Sequence, residues 1–179
     1  MKTFIEQARF YAQYHQKTAT FYTHIIGVPL IILSLMILLG FVRLVIPPNV
    51  LNISFADIAT LLLWIYYMRL HWRLGLLILP VLVILLWIAD LITSAGLTSG
   101  AFWTFVVLFV LGWLLQLAGH FIEGRRPALI DNFYQALVAP LYLTAEVCFM
   151  AGYMQSLKQA MHGTSEHTEI VMKDPESKE

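Results

Sequence analysis

The chain has 179 residues, of which 59% are hydrophobic and 12% are charged, with a formal net charge of zero and a mean hydropathy of +0.74. Soluble domains are closer to half apolar, so this composition excludes an ordinary soluble protein and indicates a membrane protein in contact with the lipid bilayer. The neutral balance and the lack of a lysine or arginine run exclude nucleic acid as a partner. No feature of the sequence indicates an oligomeric state.

The first segment, residues 3–17, predicts an amphipathic helix that lies on the membrane surface. Its apolar residues recur at helical spacing, and glutamine, glutamate and arginine fill the positions between them. His15 falls near the end of this segment, and His24 follows at the mouth of the first long apolar run. A continuous helix would place the two imidazoles on opposite faces, so a shared site requires a bend, which we place in the polar run 16–20.

Long apolar runs follow, each close to the roughly 20 residues that cross a bilayer. The pair Pro47 and Pro48 ends the first of them, and a turn-forming loop, 93–100, precedes the fourth. The predicted spans are 25–46, 55–70, 74–92 and 101–121. A fifth segment, 133–153, is either a full span or a helix buried against the others. The sequence therefore predicts an all-α, multi-pass transmembrane bundle of four to five membrane segments plus the N-terminal interfacial helix.

We expect one membrane-embedded catalytic domain over residues 1–157 and a polar, disordered tail over 158–179. In the four-span arrangement nearly all basic residues outside the tail fall on one side, and Arg43 alone flanks the other. The positive-inside rule then places the N-terminus in the cytoplasm. From its shortness we expect the chain in a bacterial inner membrane, or in the endoplasmic reticulum if it is eukaryotic.

The richest cluster of polar residues follows the fourth span. His120, Glu123, Arg125 and Arg126 lie close together in a chain that is otherwise poor in charge. If the helix continues, Gln116, His120 and Glu123 share one face, because they are spaced by four and three residues. An imidazole and a carboxylate on one face can meet one ion or one substrate.

The predicted topology brings four histidines to the cytoplasmic ends of helices: His15, His24, His71 and His120. Converging imidazoles with open positions suit iron or zinc that performs chemistry rather than a closed structural site. A single histidine at a bilayer interface is more often just an amphipathic residue at a comfortable depth. For His71, which lies beside arginine and tryptophan, the two interpretations are equally supported.

Other candidates also have two interpretations. Glu146 lies inside an apolar segment, where an ionisable group is costly, and it is either a catalytic residue or the partner of a structural hydrogen bond. Arg125 and Arg126 either bind a substrate carboxylate or serve only as orientation signals. His162 and His167 lie in the polar tail, and we expect both to be solvated.

Two blocks of this sequence resemble the family of 2-hydroxy fatty acid dioxygenases. These are small multi-span proteins that are typified by the yeast enzyme and include bacterial relatives. The blocks are YAQYHQKTATFYTHIIGVP near the N-terminus and QLAGHFIEGRRPALIDNFYQALVAPLYLTAE in the centre. The resemblance implies that His15, His24 and His120 are iron ligands and that Glu123 lies close to them. Relatives often have asparagine where this chain has Thr20, which argues against a polar role for that residue. His71 lies outside both blocks.

The resemblance further implies an Fe(II)-dependent dioxygenase that acts on 2-hydroxy fatty acids with O2 and leaves a fatty acid one carbon shorter. The predicted topology suits such a substrate, because its tail can lie among the spans while its head meets the histidines at the interface. Two other classes remain open. One is another histidine-metal membrane hydrolase or desaturase, although the closely spaced histidine boxes of desaturases are absent. The other is a non-enzymatic lipid-binding or assembly protein.

Overall fold

The computed structural model describes residues 3–12, 17–46, 51–124 and 134–162. These residues form an all-α protein with one short hairpin, as predicted apart from the hairpin. In chain order the elements are α1 (Phe4–Ala12), α2 (Thr18–Gly40), β1 (Arg43–Ile46), β2 (Leu51–Ser54), α3 (Phe55–Leu70), α4 (Trp72–Thr93), α5 (Ser99–Glu123), α6 (Tyr134–Met150) and α7 (Gln155–His162).

Within the described ranges, three helices, α2, α4 and α5, are long and apolar enough to cross a membrane. Large apolar side chains cover their outer surfaces: Trp87, Leu114 and Phe121 are exposed by 62%, 57% and 88%. Such a surface suits hydrocarbon rather than water. The predicted segment 55–70 coincides with α3, but its 16 residues span only about 24 Å at 1.5 Å per residue, less than the roughly 30 Å of a bilayer core.

The contact between α2 and α5 runs antiparallel and is unusually close. His24 meets His120, Gly27 faces Gln116, and Ile31 packs against Gly112. A Cβ atom on Gly112 would lie 2.7 Å from the Ile31 side chain and 3.1 Å from the Gly27 carbonyl oxygen. Glycine thus lets the two backbones approach, which is how helices associate in an apolar medium that supplies no hydrophobic force between them.

The first predicted span, 25–46, starts inside α2 but is wrong at its end. Helix α2 begins at Thr18, inside the predicted bend, and stops at Gly40. Residues Arg43–Ile46 instead form β1, which pairs antiparallel with β2 in a register that sets Arg43 opposite Ser54. The side chain of Ser54 then accepts a hydrogen bond from the Asp57 N–H, and the Asp57 carboxylate accepts one from the Ser54 N–H, which forms a capping box at the start of α3.

The hairpin marks the end of the bundle that is remote from the histidines. Arg43 forms an ion pair with Asp90 near the end of α4, and Gly40 packs against Thr93. His24 lies in the second turn of α2, His71 directly precedes α4 and His120 is near the end of α5, so these three lie at the opposite end. Of the four histidines predicted to lie at one end, the structure describes His24, His71 and His120, and these three lie at the same end of the bundle.

Helix α1 is amphipathic, as predicted, but its apolar face is covered by protein. Phe4, Ala8 and Tyr11 are at most 4% exposed, and the Tyr11 ring lies 4.7 Å from that of Tyr142 in α6. Arg9 Nε donates to the Ala160 carbonyl oxygen, 2.8 Å away in α7. Helices α1, α6 and α7 therefore form one packed unit, and the predicted tail boundary at residue 158 falls inside α7.

Gly119→Ala tests the close contact of α2 with α5. An added Cβ would lie 2.3 Å from Thr23 Oγ1 and 2.9 Å from His24 Cε1, so these side chains must move or the helices must separate. We expect the free energy of unfolding in detergent to fall by about 1–3 kcal/mol, as is usual for overpacking. Gly100→Ala in the same helix is the control, because nothing lies within 4 Å of its added Cβ. Equal stability of the two variants would contradict the glycine-dependent contact.

Candidate functional site

The site is built around two buried imidazoles. His24 is 1% exposed and His120 is 7% exposed, and their Nε2 atoms are 3.3 Å apart. The rings meet edge to face, with centroids 4.9 Å apart. Gly119, which precedes His120, makes room for this meeting, because any side chain there would collide with the His24 ring.

A backbone contact fixes the tautomer of His24. Its Nδ1 lies 2.9 Å from the Thr20 carbonyl oxygen one turn earlier in α2. A carbonyl oxygen can only accept, so Nδ1 carries the proton and donates, and Nε2 of the neutral ring keeps its lone pair. That lone pair is directed towards His120, so the facing nitrogens suit either a shared proton or a cation between them.

The geometry and the type of donor both fit a metal ion. Two nitrogens that bind one ion at 2.0–2.1 Å are about 3.0 Å apart at a right angle and about 3.4 Å apart at the tetrahedral angle, a range that includes the observed 3.3 Å. A proton-donating Nδ1 held by a backbone carbonyl is also the usual support for a metal-binding imidazole. Within the described ranges, however, no three His, Cys, Asp or Glu side chains gather closely enough to hold a metal.

Glu123 lies beside this pair and joins the ends of the two helices. Its Oε2 accepts a hydrogen bond of 2.7 Å from Thr20 Oγ1 and one of 3.1 Å from the Lys17 backbone N–H. Lys17 Nζ donates in turn to the Ile122 carbonyl oxygen, at 2.7 Å, in the last turn of α5. The negative carboxylate lies at the N-terminus of α2 and the positive ammonium lies at the C-terminus of α5. Each charge therefore interacts favourably with the dipole of that helix.

Thr20 therefore has the polar role that the resemblance argued against. Its side chain is fully buried, its hydroxyl contacts Glu123, and its carbonyl oxygen orients His24. Sequence reasoning missed Thr20 and Lys17 as parts of the site. The available signal was the spacing of four residues between Thr20 and His24, which sets them on one helical face.

His71 has a different environment. It precedes α4 as its N-cap, where its Nδ1 accepts from the Leu74 N–H at 3.3 Å, and its ring packs against Phe4 with centroids 5.6 Å apart. Burial lowers the pKa of the His71 imidazole. A hydrogen bond to the His71 backbone raises the pKa in part, and the positive charge of Arg73 lowers it. The neutral ring that caps the helix is thus favoured.

Glu146 belongs to a third polar group. It pairs with His162 of α7, with 2.9 Å between carboxylate oxygen and Nε2, and it accepts a hydrogen bond from Tyr142. His162 also packs edge-on against Phe149. His162 is exposed to solvent, as expected, but it lies in α7 rather than in a disordered tail, and its contacts with Glu146 and Phe149 hold α7 against α6. The contacts of Glu146 are those of a structural hydrogen-bond partner.

The structure thus brings together His24, His120 and Glu123 of the predicted site residues, while His71 and Glu146 make separate contacts. His15, Arg125 and Arg126 lie outside the described residues, as does the tail histidine His167.

The protein is thus a helical, membrane-associated protein. Its polar site contains two buried histidines and lies at one end of an apolar helical bundle. The family model described as "2-hydroxy-palmitic acid dioxygenase Mpo1-like" matches residues 1–151. Over 157 residues the chain is 36% identical to the 2-hydroxy-palmitic acid dioxygenase MPO1 of Saccharomyces cerevisiae, a match that covers 87% of this chain and 85% of the yeast protein. The chain therefore belongs to the Mpo1-like family, as its sequence blocks indicate. No solved structure matches it.

The cap at His71 predicts a pH-dependent stability. Because the folded-state pKa lies below the usual value near 6.5, the unfolded chain binds the proton more readily. The stability that this group contributes is thus present above about pH 6.5 and falls as the pH is lowered through the folded pKa. His71→Ala should cost about 0.5–2 kcal/mol at neutral pH, the usual value of an N-cap.

His71→Asn is the matched variant, since asparagine caps a helix without titrating. Thermal unfolding between pH 5.5 and 7.5 should show a smaller loss of stability on acidification in this variant than in the wild type. Identical pH profiles would show that protonation of His71 does not break the cap.

Proposed function

We propose that this protein is an Fe(II)-dependent dioxygenase that cleaves 2-hydroxy fatty acids between C1 and C2 and releases an acid one carbon shorter. The observation that carries the proposal is the buried His24–His120 pair, whose Nε2 atoms face each other at metal-ligand separation in a member of the Mpo1-like family. The name of the yeast relative supplies the substrate class and the type of reaction.

The proposed reaction balances without an external reductant. One 2-hydroxy acid and one O2 give the shortened acid, one CO2 and one water, and the two carbons that change give up the four electrons that O2 accepts. Bound Fe(II) supplies the redox chemistry through which O2 reacts with a closed-shell acid. His24 and His120 would hold the ion through Nε2, and His15, as the family resemblance implies, would be a further ligand.

Thr20 and Glu123 hold the two histidines in position. The Thr20 carbonyl keeps the His24 proton on Nδ1, and Glu123 fixes the first turn of α2, which orients the second turn that carries His24. The apolar helices provide a dry surface for an alkyl chain, while the histidines lie at the polar end of the bundle. A fatty acid would then lie with its head at the histidines and its tail along the spans.

The direct test is anaerobic reconstitution of the purified protein with Fe(II), followed by addition of 2-hydroxypalmitate and O2. We expect mass spectrometry to detect the acid one carbon shorter. Iron-loaded, folded protein that yields no such acid would exclude the proposed reaction.

His24→Ala and His120→Ala should each lower the iron content and reduce turnover to background, because each removes one of two facing ligands. The iron-to-protein ratio after reconstitution and the product yield measure the two effects. His162→Ala is the control: it breaks the pair with Glu146 and loosens α7 but should leave the iron content unchanged. Normal iron in either site variant would remove that histidine from the ligand set.

We further propose that Arg125 or Arg126 binds the substrate carboxylate, on the basis of their sequence position just after Glu123 and Gly124. Lysine keeps the charge but not the planar two-pronged donor, so Arg125→Lys or Arg126→Lys should leave membrane insertion intact and weaken turnover. Removal of the charge is the stronger change, because truncating one partner of a desolvated charge pair costs about 2–5 kcal/mol. Unchanged kinetics in both variants would leave the arginines with an orientation role only.

We also propose that the histidine end faces the cytoplasm in a multi-pass arrangement. In a Cys148→Ala background, a cysteine at the exposed Arg73 should react with an impermeant thiol reagent from the cytoplasmic side only. A cysteine at the exposed Asn52 in the hairpin should react from the other side only. Labelling of both from one side would rule out this topology.

A further inference from the structure

A buried amide lies one helical turn from the histidine pair. Gln116 is 8% exposed, and its Nε2 has no hydrogen-bond partner among the residues that the structure describes. Gln116 and His120 are four residues apart in α5, so both side chains occupy the face that packs against α2. An amide nitrogen that could donate two hydrogen bonds is therefore held close to the site.

The amide lies on the membrane side of the histidines. Helix α5 runs towards the histidine end, so Gln116 is about 6 Å deeper in the bundle than His120, four residues at 1.5 Å each. The opposing residue on α2 is Gly27, where a Cβ would come within 3.0 Å of Gln116 Nε2. The glycine thus leaves the space in which the amide sits.

A donor without a partner is costly in an apolar interior, so its retention suggests a ligand that provides the acceptor. A 2-hydroxy fatty acid has oxygens only on C1 and C2. With the carboxylate at the polar end of the bundle and the alkyl chain along the spans, the oxygen nearest to Gln116 is that of the 2-hydroxyl.

We propose that Gln116 is the residue that selects 2-hydroxy acids, by donating an amide N–H to the oxygen of the 2-hydroxyl group. This assignment rests on the proposed function, since it takes the histidine pair as the place where the head group binds. A site that hydrogen-bonds a substrate hydroxyl rejects the analogue that lacks it, because the donor is then left without an acceptor. Palmitate is that analogue.

The test compares Gln116→Met with the wild type. Methionine has nearly the same length and volume without the donors, so packing is preserved. Binding of 2-hydroxypalmitate and of palmitate is measured by anaerobic titration calorimetry of the iron-loaded protein in detergent. We expect the wild type to prefer 2-hydroxypalmitate, and Gln116→Met to lose about tenfold or more of that preference while it binds palmitate as well as before.

Thermal unfolding of the same variants separates recognition from structure. Gln116→Met should unfold at an unchanged or higher temperature, because it removes a buried donor that has no partner in the free protein. Leu117→Met is the control, because Leu117 is the next residue in α5 and its side chain is exposed. This variant should change neither binding nor stability. A lower unfolding temperature for Gln116→Met would show a structural partner and overturn the assignment.

The outcome also separates this inference from the proposed function. Wild-type protein that neither prefers 2-hydroxypalmitate nor shortens it would refute the dioxygenase and this assignment together. Wild-type protein that does both, while Gln116→Met keeps the full preference or loses affinity for both acids equally, would refute the role of Gln116 alone.

Discussion

The glycine-lined contact between α2 and α5 is the interaction on which the rest of this structure depends. In an apolar medium two helices gain little from hydrophobicity, so they associate through close packing and through polar bonds. Close packing here depends on three glycines, Gly27, Gly112 and Gly119. The polar bonds are those of Glu123 and Lys17. Only at this separation can His24 and His120 meet through their Nε2 atoms.

The same contact explains why the polar site lies at an end of the bundle. Side chains that bond across α2 and α5 there can also use the free N–H and C=O groups at the helix termini, as Glu123 and Lys17 do. Deeper in the bundle such groups are absent, and the facing positions are glycine and isoleucine. Gln116 lies at the boundary between these two regions. A bound molecule would therefore meet polar groups at one end and apolar surface along the rest of its length.

Much of the fold could be predicted from hydropathy, because apolar runs bounded by prolines and turn formers fix helices. The predicted run 55–70 is α3, and 74–92 and 101–121 lie within α4 and α5. Hydropathy failed at the first span because Leu44, Val45 and Ile46 continue the apolar run, although Arg43–Ile46 pairs as a strand. The meeting of His24 with His120 could not follow from spacing, since it depends on which helices pair and on how closely glycine lets them approach. The family resemblance supplied it instead.

The bonds of Glu123 show which part of the site it serves. Its Oε2 already accepts from Thr20 and from the backbone of Lys17, so this oxygen is committed to the first turn of α2. A carboxylate that holds the start of a helix fixes the direction in which that helix projects its next turn, and the next turn carries His24. Glu123 therefore acts on the histidine pair through the backbone of α2. This also accounts for the role of Thr20, whose hydroxyl is bound by Glu123 and whose carbonyl binds His24, so that one residue transmits the position of the carboxylate to the imidazole.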